Sequence, residues 1–309
     1  MKPKISIIVP VLNRAELIIR CLESIKNQSL LPYELIVVDN GSTDETVANV
    51  TRWMLANGTT GIKLHILEES VKGACAARRK GLNNAHGNYV IFFDSDDEMR
   101  KDLIKTASDA VENDNDIDIV CWKCKLHLLN GKTKVPTFNV SNPIENHLIH
   151  ALLRPQGYMV RKDFLIKAGG WQKNIAVWND YELGLRLLLS NPKIKGIKKI
   201  LADIYSQEDS ITGKKFSDKE GKWEQTILEM RRTNELSKHP AKERISRILD
   251  YREIILAAHY SKEGKTESGE KLLEDTIKRA GQNPTLFKFI YNYTRKGGRG
   301  AWLLCNHLI

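Results

Sequence analysis

The stretch Tyr89-Val90-Ile91-Phe92-Phe93-Asp94-Ser95-Asp96-Asp97-Glu98 carries an unbroken apolar run straight into a cluster of acids. Such a run reads as a strand buried on both faces, the kind from which parallel sheets are built. The acids then fall at its carboxyl end, which is where open α/β sheets bind ligands. Carboxylates two apart on one short turn, here Asp94 and Asp96, suit a hard divalent cation whose shell is completed by a substrate phosphate. Taken alone, the stretch also fits an acidic turn capping a helix that starts near Met99.

Outward from this run, strand and helix patterns alternate. Ile5–Val9, Glu34–Val38 and Lys63–Leu67 read as strands, the second ending at Asp39. Between them lie helical patterns over Ala15–Asn27, Thr43–Leu55 (with Ser42 or Thr43 as its cap) and Lys72–Ala85. Strands joined by helices of this length predict a Rossmann-like α/β fold with a doubly wound, mostly parallel sheet. Beyond Asp97 come a helix over Lys101–Glu112, a strand over Ile117–Trp122 and a turn at Leu128-Leu129-Asn130-Gly131. A strong helix at Tyr181–Leu189 and a late strand at Lys199–Tyr205 follow. After Gly213 only helical patterns remain, over Lys222–Ser237, Ala241–Ser261, Ser268–Ala280 and Leu286–Tyr293. The expected organisation is therefore an α/β domain over 1–212 and a C-terminal α-helical region over 213–309.

The net charge of +10 favours anionic partners such as phosphates or acidic headgroups. The excess is spread along the chain with no basic helix offering a base-reading face, which argues against nucleic acid. No segment has the ~18 unbroken apolar residues of a membrane span. Met1-Lys2-Pro3-Lys4 leads directly into a strand with no small-residue cleavage site, so the expected location is cytoplasmic. Leu286–Ile309 mixes Lys288, Arg295, Lys296 and Arg299 with Phe287, Phe289, Tyr291, Tyr293 and Trp302 and carries no acid. It fits either peripheral contact with an anionic membrane at the inner face or a packed terminal helix with a solvated basic side. The odd cysteine count, five, argues for free thiols, and Cys121-Trp122-Lys123-Cys124 lacks the second pair of a zinc site. His147 and His150 have no evident carboxylate partner and read as structural or surface residues.

Three strand ends meet one edge of the predicted sheet: Pro10-Val11-Leu12-Asn13, Asp39-Asn40-Gly41-Ser42-Thr43-Asp44 and Asp94-Ser95-Asp96-Asp97. With Ala76-Ala77-Arg78 through Gly81, and in this order and spacing, they closely resemble the family 2 glycosyltransferases, which have the GT-A fold. The likeness covers roughly residues 4 to 212. It implies that Pro10, Val11 and Asn13 line the nucleotide-sugar site and that Asp39 accepts a hydrogen bond from the base, typically uracil. It implies that Lys72 or Arg78 sits near the base or diphosphate, and that Asp94, Ser95 and Asp96 bind the nucleotide sugar, Asp94 and Asp96 through Mg or Mn. Asp39 read on its own also fits an Asx-turn opening the Asn40-Gly41 loop.

The resemblance also implies a catalytic base from a Glu-Asp pair opening a helix. This chain has Trp178-Asn179-Asp180-Tyr181-Glu182, so Asp180 takes the base position and Asn179 replaces the usual Glu. Asp180 also reads as a helix cap, a role it can hold at the same time. A second departure is Tyr205-Ser206-Gln207-Glu208-Asp209-Ser210, where relatives carry a histidine that approaches the metal; Gln207 or Glu208 is the candidate replacement. The implied function is inverting transfer of a sugar from a nucleotide sugar, UDP-linked by expectation, to a glycan or lipid-linked saccharide. A sugar-phosphate nucleotidyltransferase or a dehydrogenase would want a glycine-rich loop after the first strand, and Pro10-Val11-Leu12-Asn13 is not one. A catalytically inactive relative that still binds nucleotide sugars is the remaining alternative.

Overall fold

The computed structural model describes residues 2–58, 61–114, 116–208, 215–281, 283–298, 300 and 303. β1 (Ile5–Val11), α1 (Ile18–Lys26), β2 (Glu34–Asp39), α2 (Thr46–Asn57), β3 (Lys63–Glu68), α3 (Ala74–Asn84) and β4 (Tyr89–Phe92) alternate as the periodicity predicts. These four strands are parallel, in the order β3-β2-β1-β4. Next come β5 (Glu98–Met99), α4 (Leu103–Val111), β6 (Ile119–His127), β7 (Thr133–Lys134), α5 (Pro143–His150), β8 (Tyr158–Arg161), α6 (Lys162–Lys167), α7 (Asn179–Leu189) and β9 (Ile194–Tyr205). They extend the sheet as β8-β6-β9-β5, with β7 paired to β6.

The parallel reading holds for the first four strands and for β6 with β9. β8 runs antiparallel to both β4 and β6, and β5 antiparallel to β9. Both β5 and β8 are too short to show a period, which is why the mixed half of the sheet was not foreseen. Glycine 131, with φ of +76°, closes the β6–β7 turn, and its N–H donates to the Leu128 carbonyl at 2.9 Å.

Successive residues of a strand face opposite sides, so each central strand feeds two cores. Ile5, Ile7, Val9, Leu35 and Val37 pack with α1 and α4 on one face. Ile8, Ile36, Val38 and Phe92 pack with side chains of α3 and α7 on the other. At Gly81 the helix α3 approaches the sheet so closely that a Cβ would lie 2.4 Å from Ile8 Cγ2. Cys121 and Cys124 lie in opposite cores as buried free thiols, each pushed up to about 12 by burial. Cys21 and Cys75 are likewise buried and free; Cys305 lies outside the described residues.

The chain ends in α8 (Lys222–Arg232), α9 (Asn234–Lys238), α10 (Lys242–Lys262), α11 (Thr266–Ala280) and α12 (Pro284–Arg295). The expected boundary at 212 falls among residues 209–214, outside the described residues. Helix α7 is shared by two cores. Leu183 and Leu187 join the sheet cluster, whereas Tyr181, Leu185 and Leu189 join a cluster built with α8, α10 and α12. His147 braces α7 from α5: its Nε2 donates to the Tyr181 carbonyl at 2.9 Å and its Nδ1 accepts from Leu153 N at 3.2 Å. With both ring nitrogens so used the imidazole is neutral, and burial drives its pKa down to about 4. His150 is half-buried on the same helix.

Candidate active site

The three strand ends form one crevice. Asn13, with φ of +50°, lies just past β1 and bridges to the loop after β2: its Oδ1 accepts from Thr43 N at 2.8 Å and its N–H donates to Ser42 Oγ at 3.0 Å. Pro10 is half-buried and Val11 buried. Asp39 is buried, and its carboxylate accepts from Gly41 N at 3.0 Å and Ser42 N at 3.1 Å, so the Asx-turn is formed. A carboxylate has about four acceptor positions, so these bonds leave capacity for a base edge. Lys72 Nζ lies across the same loop, 3.3 Å from the Asn40 carbonyl and 3.4 Å from that of Gly41. The predicted cap of α2 is displaced: helix α2 starts at Thr46, and Asp44 Oδ1 accepts from Thr46 N at 3.0 Å.

The acid turn is heavily tethered. Asp94 Oδ1 accepts from Arg78 Nη2 at 2.7 Å and its Oδ2 from Gln156 Nε2 at 2.6 Å. The same Gln156 amide donates to Asp97 Oδ2 at 2.5 Å, and Asp97 Oδ1 accepts from Tyr205 N at 2.8 Å. Burial, with Asp94 and Asp96 nearby, holds the Asp97 carboxyl well above the usual range. Ser95 is buried between its neighbours, which leaves Asp94 and Asp96 as the half-exposed acids of the turn. Asp96 is raised too, by burial and then by Asp94, against the opposing pull of Arg14, whose Nε is 3.4 Å away.

Arg78 joins this turn to α7. The guanidinium is buried, lies 4.5 Å from the Trp171 ring centroid, and donates from Nη1 to Asn179 Oδ1 at 3.1 Å. Helix α7 begins at Asn179, two residues before the predicted start, and its N-cap is Trp178 at φ of +48°. Asp180 therefore sits in the first turn and is not the cap. Burial raises its pKa above the ordinary carboxylate value even though Arg78 pulls the other way. Asn179 in place of the family's Glu still supplies an acceptor for Arg78. Glu182 is buried and ion-paired with Arg186 at 2.5 Å, which removes it as a rival base.

Two residues here had no site role assigned from the sequence. Gln156 precedes β8 as a lone amide beside Pro155. Tyr205 stands at the end of β9, with the Arg20 guanidinium 4.1 Å from its ring centroid and the His127 ring stacked at 4.5 Å. Two groups that close cannot share one face of the ring, so they cover opposite faces. Gln207 is half-buried and Glu208 exposed; Asp209 and Ser210 lie outside the described residues.

Among the described residues no three His, Cys, Asp or Glu side chains converge as a metal cage. Mg and Mn sites that act on diphosphates need only one or two carboxylates, the substrate supplying the rest. The donor set fits that pattern. Asp96 offers hard carboxylate oxygens in a turn where burial first, and Asp94 second, raise its pKa, and a cation there would offset both.

A family model described as glycosyl transferase family 2 matches residues 6–161, which run from β1 through β8 and contain the ends of β1, β2 and β4 that form the crevice. The chain belongs to glycosyltransferase family 2. Glycosyltransferase GlyG of Streptococcus pneumoniae is 32% identical over 120 residues, covering 39% of this chain and 38% of that protein. A GalNAc(5)-diNAcBac-PP-undecaprenol beta-1,3-glucosyltransferase of Campylobacter jejuni is 35% identical over 104 residues, 34% of this chain and 33% of that protein. The chain thus spans about a third of the length of these curated relatives. The solved structure of S. aureus TarS residues 1–349 superposes with a TM-score of 0.67 at 19% identity, covering 95% of this chain and 87% of that one. The mannosyltransferase PcManGT of Pyrobaculum calidifontis, solved with GDP-Man and Mn2+, gives 0.61 at 19% identity, covering all of this chain and 84% of that one. At these identities the two structures establish the GT-A fold, including its C-terminal helical region.

Proposed function

We propose that this protein is an inverting, metal-dependent glycosyltransferase that moves a sugar from a nucleotide sugar, UDP-linked, to a glycan or lipid-linked saccharide. The observation that carries the reading is Arg78, which ties the acid turn through Asp94 to the first turn of α7 through Asn179. It sets a candidate base, Asp180, beside a candidate diphosphate site. Direct displacement at a sugar carbon needs a base for the acceptor hydroxyl. A carboxylate with a raised pKa takes a proton more readily than an ordinary one, and Asp180 is raised. Its place in a helix shared by two cores would hold it rigidly against the acceptor.

In this reading Asp96, with Asp94, would hold Mg or Mn, and the cation when bound would stabilise charge on the departing diphosphate. Asp39 and the Asn13 loop receive the nucleoside, with Lys72 beside them. Asp94 keeps Arg78 oriented, and Gln156 ties Asp94 to the buried Asp97. A UDP-linked donor is supported by TarS residues 1–349, solved in complex with UDP-GlcNAc. A lipid-linked acceptor is supported by the Campylobacter relative's name. The inactive-relative alternative is weakened at Asn179, whose side-chain oxygen still accepts from Arg78 and so keeps the site tied together. The test is UDP release from a panel of UDP-sugars with and without Mn. Turnover that requires Mn and is lost in Asp96→Ala is expected; Mn-independent turnover, or an active Asp96→Ala, would overturn the metal assignment.

A further inference from the structure

A cleft of about 340 Å³ opens outside the crevice, between α3 and the loop after α6. Arg79 and Asn83 line it from α3, and Trp171, Gln172, Lys173 and Asn174 from the loop. The side chains of Arg79, Asn83, Gln172, Lys173 and Asn174 make no hydrogen bond or ion pair with any described residue. No carboxylate lines the cleft. Two cations and three amides thus converge with their donors free, and the volume matches a small-molecule site.

The loop is pinned in place rather than draped. Gly169 and Gly170 adopt positive φ, and the carbonyls of Ala168 and Gly170 accept from the buried Arg186 of α7. Trp171 forms the wall between this cleft and the crevice, since the same indole supports Arg78. Its Nε1–H is buried without an acceptor.

We propose that this cleft is an acceptor-side subsite for an anionic saccharide, one bearing a phosphate or a carboxylate. Arg79 and Lys173 would pair with the anion, and the three amides would meet sugar hydroxyls. The proposal rests on the transferase reading, because a subsite that shares the Trp171 wall with the crevice has a purpose only if an acceptor docks there.

The experiment follows the Trp171 indole N–H resonance, assigned by Trp171→Phe, in protein saturated with UDP and Mg so that the donor site is filled. Glucose 1-phosphate, glucuronate and glucose are titrated in turn. A saturable shift with one or both anions, none with glucose, and binding at least about tenfold weaker in Arg79→Ala/Lys173→Ala is the expected result. The two anions distinguish phosphate from carboxylate recognition. No shift from either anion, an equal shift from glucose, or an unchanged response in the double variant would overturn the subsite. UDP that fails to bind at the outset would instead count against the transferase reading itself.

Discussion

Replacing Arg78 by Met should uncouple the acid turn from helix α7. Methionine keeps much of the packing on Trp171 but removes the guanidinium, and with it the 2.7 Å bond to Asp94 and the 3.1 Å bond to Asn179. Breaking a buried ion pair costs about 3–5 kcal/mol. The Asp94 side chain is 32% exposed, so solvent screens part of that loss, and about 2–3 kcal/mol is expected. A urea-denaturation cycle of Arg78→Met, Asp94→Asn and the double variant isolates the pair, with a coupling of about 1.5–3 kcal/mol predicted. Turnover should fall by about 10²-fold or more in Arg78→Met, since a misplacement of about 1 Å of a positioned group costs that much. A coupling below about 0.5 kcal/mol together with unchanged turnover would refute Arg78 as the link between the two halves of the site.

Two further outcomes are expected. His147 is neutral in the fold with a pKa of about 4, against about 6.5 unfolded, so the unfolded chain binds more protons between those values and stability falls as pH drops through them. The loss amounts to about 3 kcal/mol by pH 4, and His147→Gln should flatten that part of the pH–stability curve; an unchanged slope would contradict it. Phe289 and Tyr293 are exposed on α12, while Phe287, Ile290 and Tyr291 are core residues, so deleting the helix would damage the fold and point changes are the cleaner probe. Lys288→Glu with Phe289→Ala should weaken binding to anionic vesicles, and salt should weaken binding of the unaltered protein; vesicle binding that matches the unaltered protein would exclude this face of α12. Arg299, Trp302 and the residues after Leu303 lie outside the described residues. Among those that are described, no helix is long and apolar enough to cross a membrane.

The parallel core was legible because its strands are continuous apolar runs and its helices carry a clear period. Ile5–Val9, Glu34–Asp39 and Tyr89–Phe93 each announce themselves locally. The acid turn was legible for the same reason, as the abrupt end of such a run. What escaped was whatever depends on long-range pairing. Gln156 meets Asp94 across 62 residues, and nothing in Pro155-Gln156-Gly157 marks it. Arg78 meets Asn179 across 101 residues; its sequence neighbourhood placed it near the nucleotide, and the fold turned it into a buried tie. Asp180 was legible as the candidate base, but its second reading as the helix cap does not hold: the helix starts at Asn179, after Trp178 in a left-handed conformation that a large aromatic residue rarely takes.

The central claim is that Asp180 removes the acceptor's proton. Asp180→Asn keeps the size of the side chain and removes its basic oxygen. The measurement is kcat for sugar transfer beside the Kd for the donor, in the same preparation. The account predicts a fall in kcat on the order of 10²-fold or more with donor affinity little changed. Full transfer by a folded Asp180→Asn would contradict it.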